Sequence, residues 1–289
     1  MKALLKNRTV TLQDTLRHAV LTLQQAKIET ASLDARILLQ HVLHLSREQL
    51  LLAMDDVLGP EQEEAFYALL ERRAKRQPVA QLIGKREFWG MEFKVTSDTL
   101  DPRPDSETLI EAVLGQCRDR RKHYKILDLG TGTGCLLLSL LNELTNATAI
   151  GVDISEAALA VAKENTIAFG MQSRVAFLAS HWCEKVMGTF DIIVANPPYI
   201  PSKSIALLAP EVAQYEPGLA LDGGEDGLDC YRKIVPTLPR IMADEGIAAL
   251  EIGIGQQTAV AELAIKAGIQ VHAMRRDLSG TVRCVTVMK

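Results

Sequence analysis

The sequence predicts an α/β protein: a mostly parallel sheet with crossover helices, preceded by a small helical domain and a β-hairpin. Three observations predict it. Residues 1–76 carry apolar residues at helical spacing and no strand pattern. From residue 99 onward, short apolar runs alternate with helical stretches, the pattern of crossover-connected parallel strands. Two of those runs end in turns of unusual composition, Gly130-Thr131-Gly132-Thr133-Gly134 and Asn196-Pro197-Pro198-Tyr199. The carboxyl ends of parallel strands are where open α/β sheets place ligands.

Composition narrows the class. The chain has 289 residues, 47% hydrophobic and 24% charged, which suits one large domain plus a small one. A net charge of −4 argues against non-specific binding to nucleic acid, so no stable nucleic-acid complex is expected. Apolar runs are too short for a membrane span, and the N-terminus has no signal-peptide pattern. Five scattered cysteines (117, 135, 183, 230 and 284) form no Cys-x-x-Cys pair, so neither a disulfide framework nor a metal site is expected. A cytoplasmic chain with reduced thiols, acting as a monomer, is the expectation.

In chain order, Leu12, Leu16, Val20 and Leu23 recur at helical spacing, as do Leu33, Ile37, Leu38 and Val42. Gly59-Pro60 breaks the chain before a helix containing Phe66, Leu69 and Leu70. His18, His41 and His44 read as surface or packing residues. The segment is either a plain helical bundle or a substrate-recognition module. Its last helix ends in Arg72, Arg73, Lys75 and Arg76, which suit the negative end of a helix dipole or an acidic or RNA-bound partner. Residues 77–98 read as a hairpin linker around Phe88-Trp89-Gly90-Met91, its aromatic residues packing at an interface.

The second domain, 99–289, begins with Asp101-Pro102-Arg103-Pro104-Asp105-Ser106-Glu107, which opens a helix to about residue 116. Capping explains the acids but not Arg103, which is expected to face the site. The strand 125–129 then runs into the glycine turn, and a helix follows from Cys135. Glycines there let backbone N–H groups approach a ligand. Such a turn alone is weak evidence, since many bind NAD or nothing. The spacing Gly-x-Gly-x-Gly shifts the reading toward S-adenosylmethionine, and no Gly-Lys-Ser/Thr tail supports a P-loop. The next strand ends in Asp153, placed to hold the ribose hydroxyls of an adenosine or to cap the helix after it. After strand 174–179, Trp182 is placed to cover an adenine or to pack in the core.

The strand 192–195 stops at Asn196-Pro197-Pro198-Tyr199. Each proline lacks an N–H and pushes the preceding residue toward extended geometry. The turn therefore offers the Asn196 side-chain oxygen and the Pro197 carbonyl as acceptors, with Tyr199 beside them: a seat for a planar group bearing an NH2. Residues 200–224 read as a long structureless loop of the lid type. A helix over 231–243 bent at Pro236 and Pro239, a strand over 246–252 with Glu251, a helix over 256–267 and a final antiparallel pair complete the chain.

Over nearly its full length the chain resembles the release factor glutamine methyltransferases, the PrmC/HemK family. The matching residues are Arg72-Arg73 with Pro78 and Gly84, Glu87-Phe88-Trp89-Gly90, the Pro102 to Glu107 stretch, Gly130 to Gly134 and Asn196 to Tyr199. Asp222-Gly-Gly-Glu-Asp-Gly-Leu228, Glu251-Ile-Gly253 and Arg276-Asp-Leu-Ser-Gly280 complete the set. Gln81 departs from it, standing where the family usually has tyrosine.

The resemblance implies a Rossmann-like class I methyltransferase domain with a seven-stranded sheet. It also implies methyl transfer from S-adenosylmethionine to the side-chain nitrogen of the glutamine in the Gly-Gly-Gln motif of peptide chain release factors. Gly130, Thr131, Gly132, Thr133, Gly134, Asp153, Trp182 and Asn196 would bind cofactor. Asn196, Pro197 and Tyr199 would carry catalysis, with Pro198 and Arg103 joining them against the substrate. An adenine methylase would use the same Asn-Pro-Pro-Tyr seat but needs a broad basic surface. A non-enzymatic binder would be expected to lose Asp153 or Asn196, and both are present.

Overall fold

The computed structural model describes residues 10–289, and the chain divides into two compact units, one ending at Gly84 and one running from Lys85 to Lys289. The first unit is helical: α1 (Leu12–Gln25), α2 (Ala31–Leu43), α3 (Arg47–Leu52), α4 (Pro60–Ala74) and α5 (Val79–Ile83). The starts follow from local chemistry. Thr11 caps α1 by accepting the Asp14 N–H, Ser46 and Gln49 form a reciprocal capping box on α3, and Pro60 takes the first position of α4.

Leu23, Leu38, Leu39, Leu50 and Phe66 are completely buried at its centre. Leu33, grouped with the inward stripe of α2 by spacing, points outward instead. The buried face of α2 is Ala31, Asp34, Ala35, Leu38 and Leu39, and Asp34 on that face meets the Arg73 guanidinium, 2.8 Å away. The basic cluster is thereby largely internal chemistry of this unit. Arg76 donates to the carbonyls of Ala26 and Lys27, Lys75 pairs with Glu71 at 2.7 Å, and Arg72 donates to Gln77.

The second unit begins with a hairpin, β1 (Lys85–Phe88) and β2 (Met91–Lys94). Trp89 and Gly90 both have positive φ, 51° and 69°, the geometry of a tight two-residue turn matched to strand twist. The hairpin is shorter than 77–98, since residues 79–83 are helical and belong to the first unit. Its Phe88 and Phe93 are buried in the core of the second unit, and the Trp89 indole donates to Glu143.

The remaining elements are α6 (Glu107–Leu114), β3 (Lys125–Leu129), α7 (Cys135–Glu143), β4 (Thr148–Asp153), α8 (Glu156–Ala168), β5 (Val175–Ala179) and β6 (Phe190–Ala195). After them come α9 (Pro210–Tyr215), α10 (Asp229–Ile234), α11 (Leu238–Ile241), β7 (Met242–Glu251), α12 (Gln257–Lys266), β8 (Gln270–Arg276) and β9 (Val282–Met288). Seven strands form one sheet in the order β5-β4-β3-β6-β7-β9-β8, with β9 antiparallel to both neighbours and the other pairings parallel. Alternate residues of β3 and β6 feed two cores: Ile126, Ile192 and Val194 enter one, Leu127, Ile193 and Ala195 the other. Both faces are covered, which is why these strands read as unbroken apolar runs.

Two further expectations change. The helix over 231–243 is three short pieces ending at Ile241, because Pro236 and Pro239 remove donors from a continuous helix, and β7 starts at Met242. Residues 200–224 are not structureless. They hold 3₁₀ turns at Ser202–Leu207 and Gly218–Ala220 with α9 between, and a parallel bridge joins Ile200 to Asp222.

Candidate active site

Strand register builds the site. Leu129 pairs with both Val152 and Ala195, and Ala195 pairs with Leu250. The next residues along, Gly130, Asp153, Asn196 and Glu251, therefore stand level with one another at the carboxyl ends of their strands, Asp153 and Glu251 still paired to β5 and β9. Strand order reverses between β3 and β6, so this is the topological switch point, where a crevice opens by construction. A cavity of about 330 Å³ lies there.

The glycine turn forms one wall. Gly130, Gly132 and Gly134 have φ of 76°, 54° and 79°, a left-handed path that a side chain would resist. Gly130, Thr131, Gly132 and Thr133 line the cavity, whereas Gly134 sits behind it as the N-cap of α7. The Thr131 hydroxyl turns inward and donates to Asp128 at 2.7 Å, while its N–H donates to the Val152 carbonyl and its own carbonyl accepts the Gly134 N–H, so this residue holds the turn in shape. Asp128 is completely buried, and its other carboxylate oxygen has no partner among the described residues. Burial pushes its pKa up to about 7, against the Thr131 hydrogen bond and with a further upward push from the Asp153 charge.

Asp153 ties two backbone segments together, and it is not the cap of α8. One oxygen accepts the Gly132 N–H at 2.9 Å and the other the Ser155 N–H at 2.9 Å, which locks the glycine turn to the start of α8. Ser155 itself caps that helix. A carboxylate has about four lone-pair sites, so two stay available to ribose hydroxyls. Trp182 follows β5 with φ 48°, and its ring lies against the Gly130 backbone, where an added methyl would meet Cζ3 at 3.4 Å. The indole lines the cavity and also packs on the apolar core.

On the opposite side, Asn196 and Pro198 line the cavity, as does Arg103. Pro197 is buried and Tyr199 half-buried, and neither reaches the cavity wall. The Asn196 amide nitrogen donates to Ser106 Oγ at 3.1 Å, Ser106 Oγ donates to Glu251, and the Tyr199 hydroxyl donates to the other Glu251 oxygen at 3.2 Å. Burial raises the Tyr199 hydroxyl far above its usual range, and the Glu251 charge adds to this. Arg103 reaches Glu216 at 3.3 Å, and Glu216 also accepts the Asp101 N–H. The 200–220 segment is thus pinned beside the cavity mouth.

Glu216 and Asp128 were not singled out from the sequence, and Ser106 and Glu251 were quoted only as parts of matching stretches, Glu251 also as a strand-end acid, with no role given to either. A signal did exist for two of them: an acid inside Ile-Leu-Asp-Leu, and another ending Ala-Ala-Leu-Glu-Ile, must be buried with the strand. The glycines around the motif have a packing cause as well. A methyl on Gly223 would stand 2.9 Å from the Pro198 carbonyl and from Tyr199 Cα, so the 222–228 turn can close on the Asn-Pro-Pro-Tyr turn only without a side chain.

With the geometry in place, the relatives are informative. Residues 14–84 match the model of the PrmC N-terminal domain, and residues 103–212 that of the methyltransferase small domain. A release factor glutamine methyltransferase of Rhodospirillum rubrum is 46% identical over 266 residues, covering 91% of this chain and 80% of that protein. One from Cereibacter sphaeroides is 46% identical over 273 residues, covering 94% and 96%. Among solved structures, the T. thermophilus 16S rRNA N2 G1207 methyltransferase RsmC, in complex with AdoMet and guanosine, superposes with a TM-score of 0.50 at 19% identity, covering 71% of this chain and 49% of that one; that likeness concerns the fold. Identity of this extent along almost the whole chain, joined to a class I methyltransferase sheet, means that the chain belongs to the family of release factor glutamine methyltransferases.

Proposed function

We propose that this protein transfers a methyl group from S-adenosylmethionine to the side-chain amide nitrogen of the Gly-Gly-Gln glutamine of peptide chain release factors. The observation that carries the reading is the pairing, on level strand ends, of a glycine-turn cradle with an Asn196 side chain whose oxygen accepts from no described residue. The cavity suits the cofactor: the glycine-turn backbone of residues 130–133, its Gly130, Thr131 and Gly132 N–H groups tied to Val152 and Asp153, the remaining lone pairs of Asp153 and the flat face of Trp182 surround it. When bound, S-adenosylmethionine supplies an electrophilic methyl group on a sulfonium and departs as the thioether.

The residues of this chain do the rest by orientation and charge. An amide nitrogen is a poor nucleophile because its lone pair is delocalised into its carbonyl. Asn196 Oδ1 accepts an N–H bond of the substrate amide, aiming the nitrogen at the methyl carbon. The same oxygen then stabilises the positive charge that grows on nitrogen, an interaction stronger in the transition state than in the bound amide. The alkylated nitrogen gives up one proton to water, so no side-chain base is needed. Tyr199, with its hydroxyl held by Glu251, acts as a brace for the turn. Arg103 lines the substrate side of the cavity. The helical N-terminal unit selects the release factor.

Incubation with methyl-labelled S-adenosylmethionine and either purified release factor or purified DNA and RNA tests the reading. Label on the release factor alone is expected. Label on nucleic acid alone would transfer the Asn-Pro-Pro-Tyr seat to a base amine.

A further inference from the structure

The second unit buries a carboxylate that packing does not require. Glu251 is 1% exposed at the end of β7, and its hydrogen-bond partners among the described residues are two neutral hydroxyls, Ser106 Oγ and Tyr199 Oη. The nearby Arg283 guanidinium is turned to other acids, at 3.1 Å from Asp105 and 3.1 Å from Asp277. A buried carboxylate without a hydrogen-bonded cation is costly, and a glutamine or leucine of similar volume would fill the space at less expense. Its position offers a reason. An ionised carboxylate only accepts, so both hydroxyl hydrogens must point toward it. Ser106 then has only lone pairs left for Asn196, and only an NH2 group can face them.

We propose that Ser106 and Glu251 form a positioning relay that fixes which end of the Asn196 amide faces the substrate seat, nitrogen toward Ser106 and oxygen toward the glutamine. The inference rests on the proposed role of Asn196 as acceptor. Were the asparagine flipped, its NH2 would meet the NH2 of the substrate, and donor would face donor. Protonating Glu251 permits that flip: the carboxylic acid donates to Ser106, whose hydroxyl is then released to donate to Asn196 Oδ1. Burial pushes Glu251 up to about 7; the Ser106 and Tyr199 hydrogen bonds and the Arg283 charge pull it down, and Asp105 pushes it up. The other ionisable neighbours are Cys284 beside it on β9, Cys135 at the start of α7, and Tyr231 on α10, whose hydroxyl donates to the Glu251 carbonyl. All are neutral near pH 7, because burial raises each of them. Among these neighbours Glu251 is the group that titrates there; Asp128, also raised to about 7, lies against Thr131 in the glycine turn, and the Glu251→Gln comparison separates the two.

The relay makes separable predictions. Glu251→Gln and Ser106→Ala should lower kcat by about 10- to 100-fold, the scale of a misaimed reacting group, with S-adenosylmethionine affinity near wild type; Glu251→Gln should keep the melting temperature, and Ser106→Ala, which takes one hydroxyl from the buried carboxylate, should melt lower while staying folded. Ser106→Thr, which restores the hydroxyl, should recover most of the loss. Wild-type kcat should fall as pH drops through Glu251, and the Gln variant should lack that limb. A second readout needs neither variant nor substrate. The Asn196 side-chain NH2 resonances, assigned by their loss in Asn196→Ala, should shift with the Glu251 carboxyl titration in the wild-type protein. Unshifted Asn196 resonances across that titration, or folded Glu251→Gln and Ser106→Ala proteins at wild-type kcat over the same pH range, overturn the relay. If the wild-type protein leaves release factor unmethylated, the functional reading falls, and the Asn196 titration still decides the relay.

Discussion

Replacing Asp153 by alanine separates cofactor binding from the rest of the site. Its carboxylate accepts the N–H groups of Gly132 and Ser155, each at 2.9 Å, and has about two lone-pair sites left for the ribose. A hydrogen bond to a charged group is worth about 1.5–3 kcal/mol, so loss of one ribose contact alone weakens S-adenosylmethionine roughly 10- to 150-fold. Loss of the Gly132 anchor adds to this, because the glycine turn must then be ordered by the ligand itself. Asp153→Asn keeps one oxygen. That oxygen can hold one backbone N–H and one ribose hydroxyl, so its loss should be the smaller, about tenfold. Calorimetric titration of the cofactor gives the affinities, and a melting curve confirms that each variant is folded. A folded Asp153→Ala protein with wild-type affinity would remove Asp153 from the cofactor site and leave it only as the tie between the glycine turn and α8.

Three further perturbations probe other parts of the account. Arg73→Ala strands the Asp34 carboxylate, which is 5% exposed, and should destabilise the helical unit by about 3–5 kcal/mol in thermal unfolding; a change below about 1 kcal/mol would show that the pair is dispensable. A chain beginning at Lys85 should keep cofactor affinity and lose efficiency on intact release factor, and full efficiency there would count against recognition by the helical unit. Gly223→Ala forces a methyl to within 2.9 Å of Pro198 and Tyr199 backbone, so the turn must move; kcat should fall while cofactor affinity holds, and an unchanged kcat would show that the turn tolerates the shift.

Much of the fold was legible because its signals are local. Parallel strands buried on both faces write themselves as apolar runs, and β3, β4 and β6 lie within a few residues of where the runs placed them. Elements failed where tertiary contacts decide. Leu33 looks inward by spacing, yet α2 buries the face of Ala31, Ala35, Leu38 and Leu39, with the acid Asp34 on it held by a distant Arg73. The 200–224 segment looks like an open loop because its order comes from distant partners: the Ile200–Asp222 bridge and the Glu216 contacts to Asp101 and Arg103. The same limit applies to the site. Gly130, Asp153 and Asn196 could be named from motifs, whereas Ser106 and Glu251 converge on Asn196 from positions 90 and 55 residues away, and only strand register reveals it.

The most direct measurement is a single-turnover methylation of release factor at saturating cofactor, comparing wild type with Asn196→Ala and locating the methyl group by peptide mass spectrometry. The account predicts one methyl on the side-chain nitrogen of the Gly-Gly-Gln glutamine, formed about 10²–10³ times more slowly by the variant at unchanged cofactor affinity. An unmodified glutamine with saturated wild-type protein, or a wild-type rate from Asn196→Ala, would contradict it.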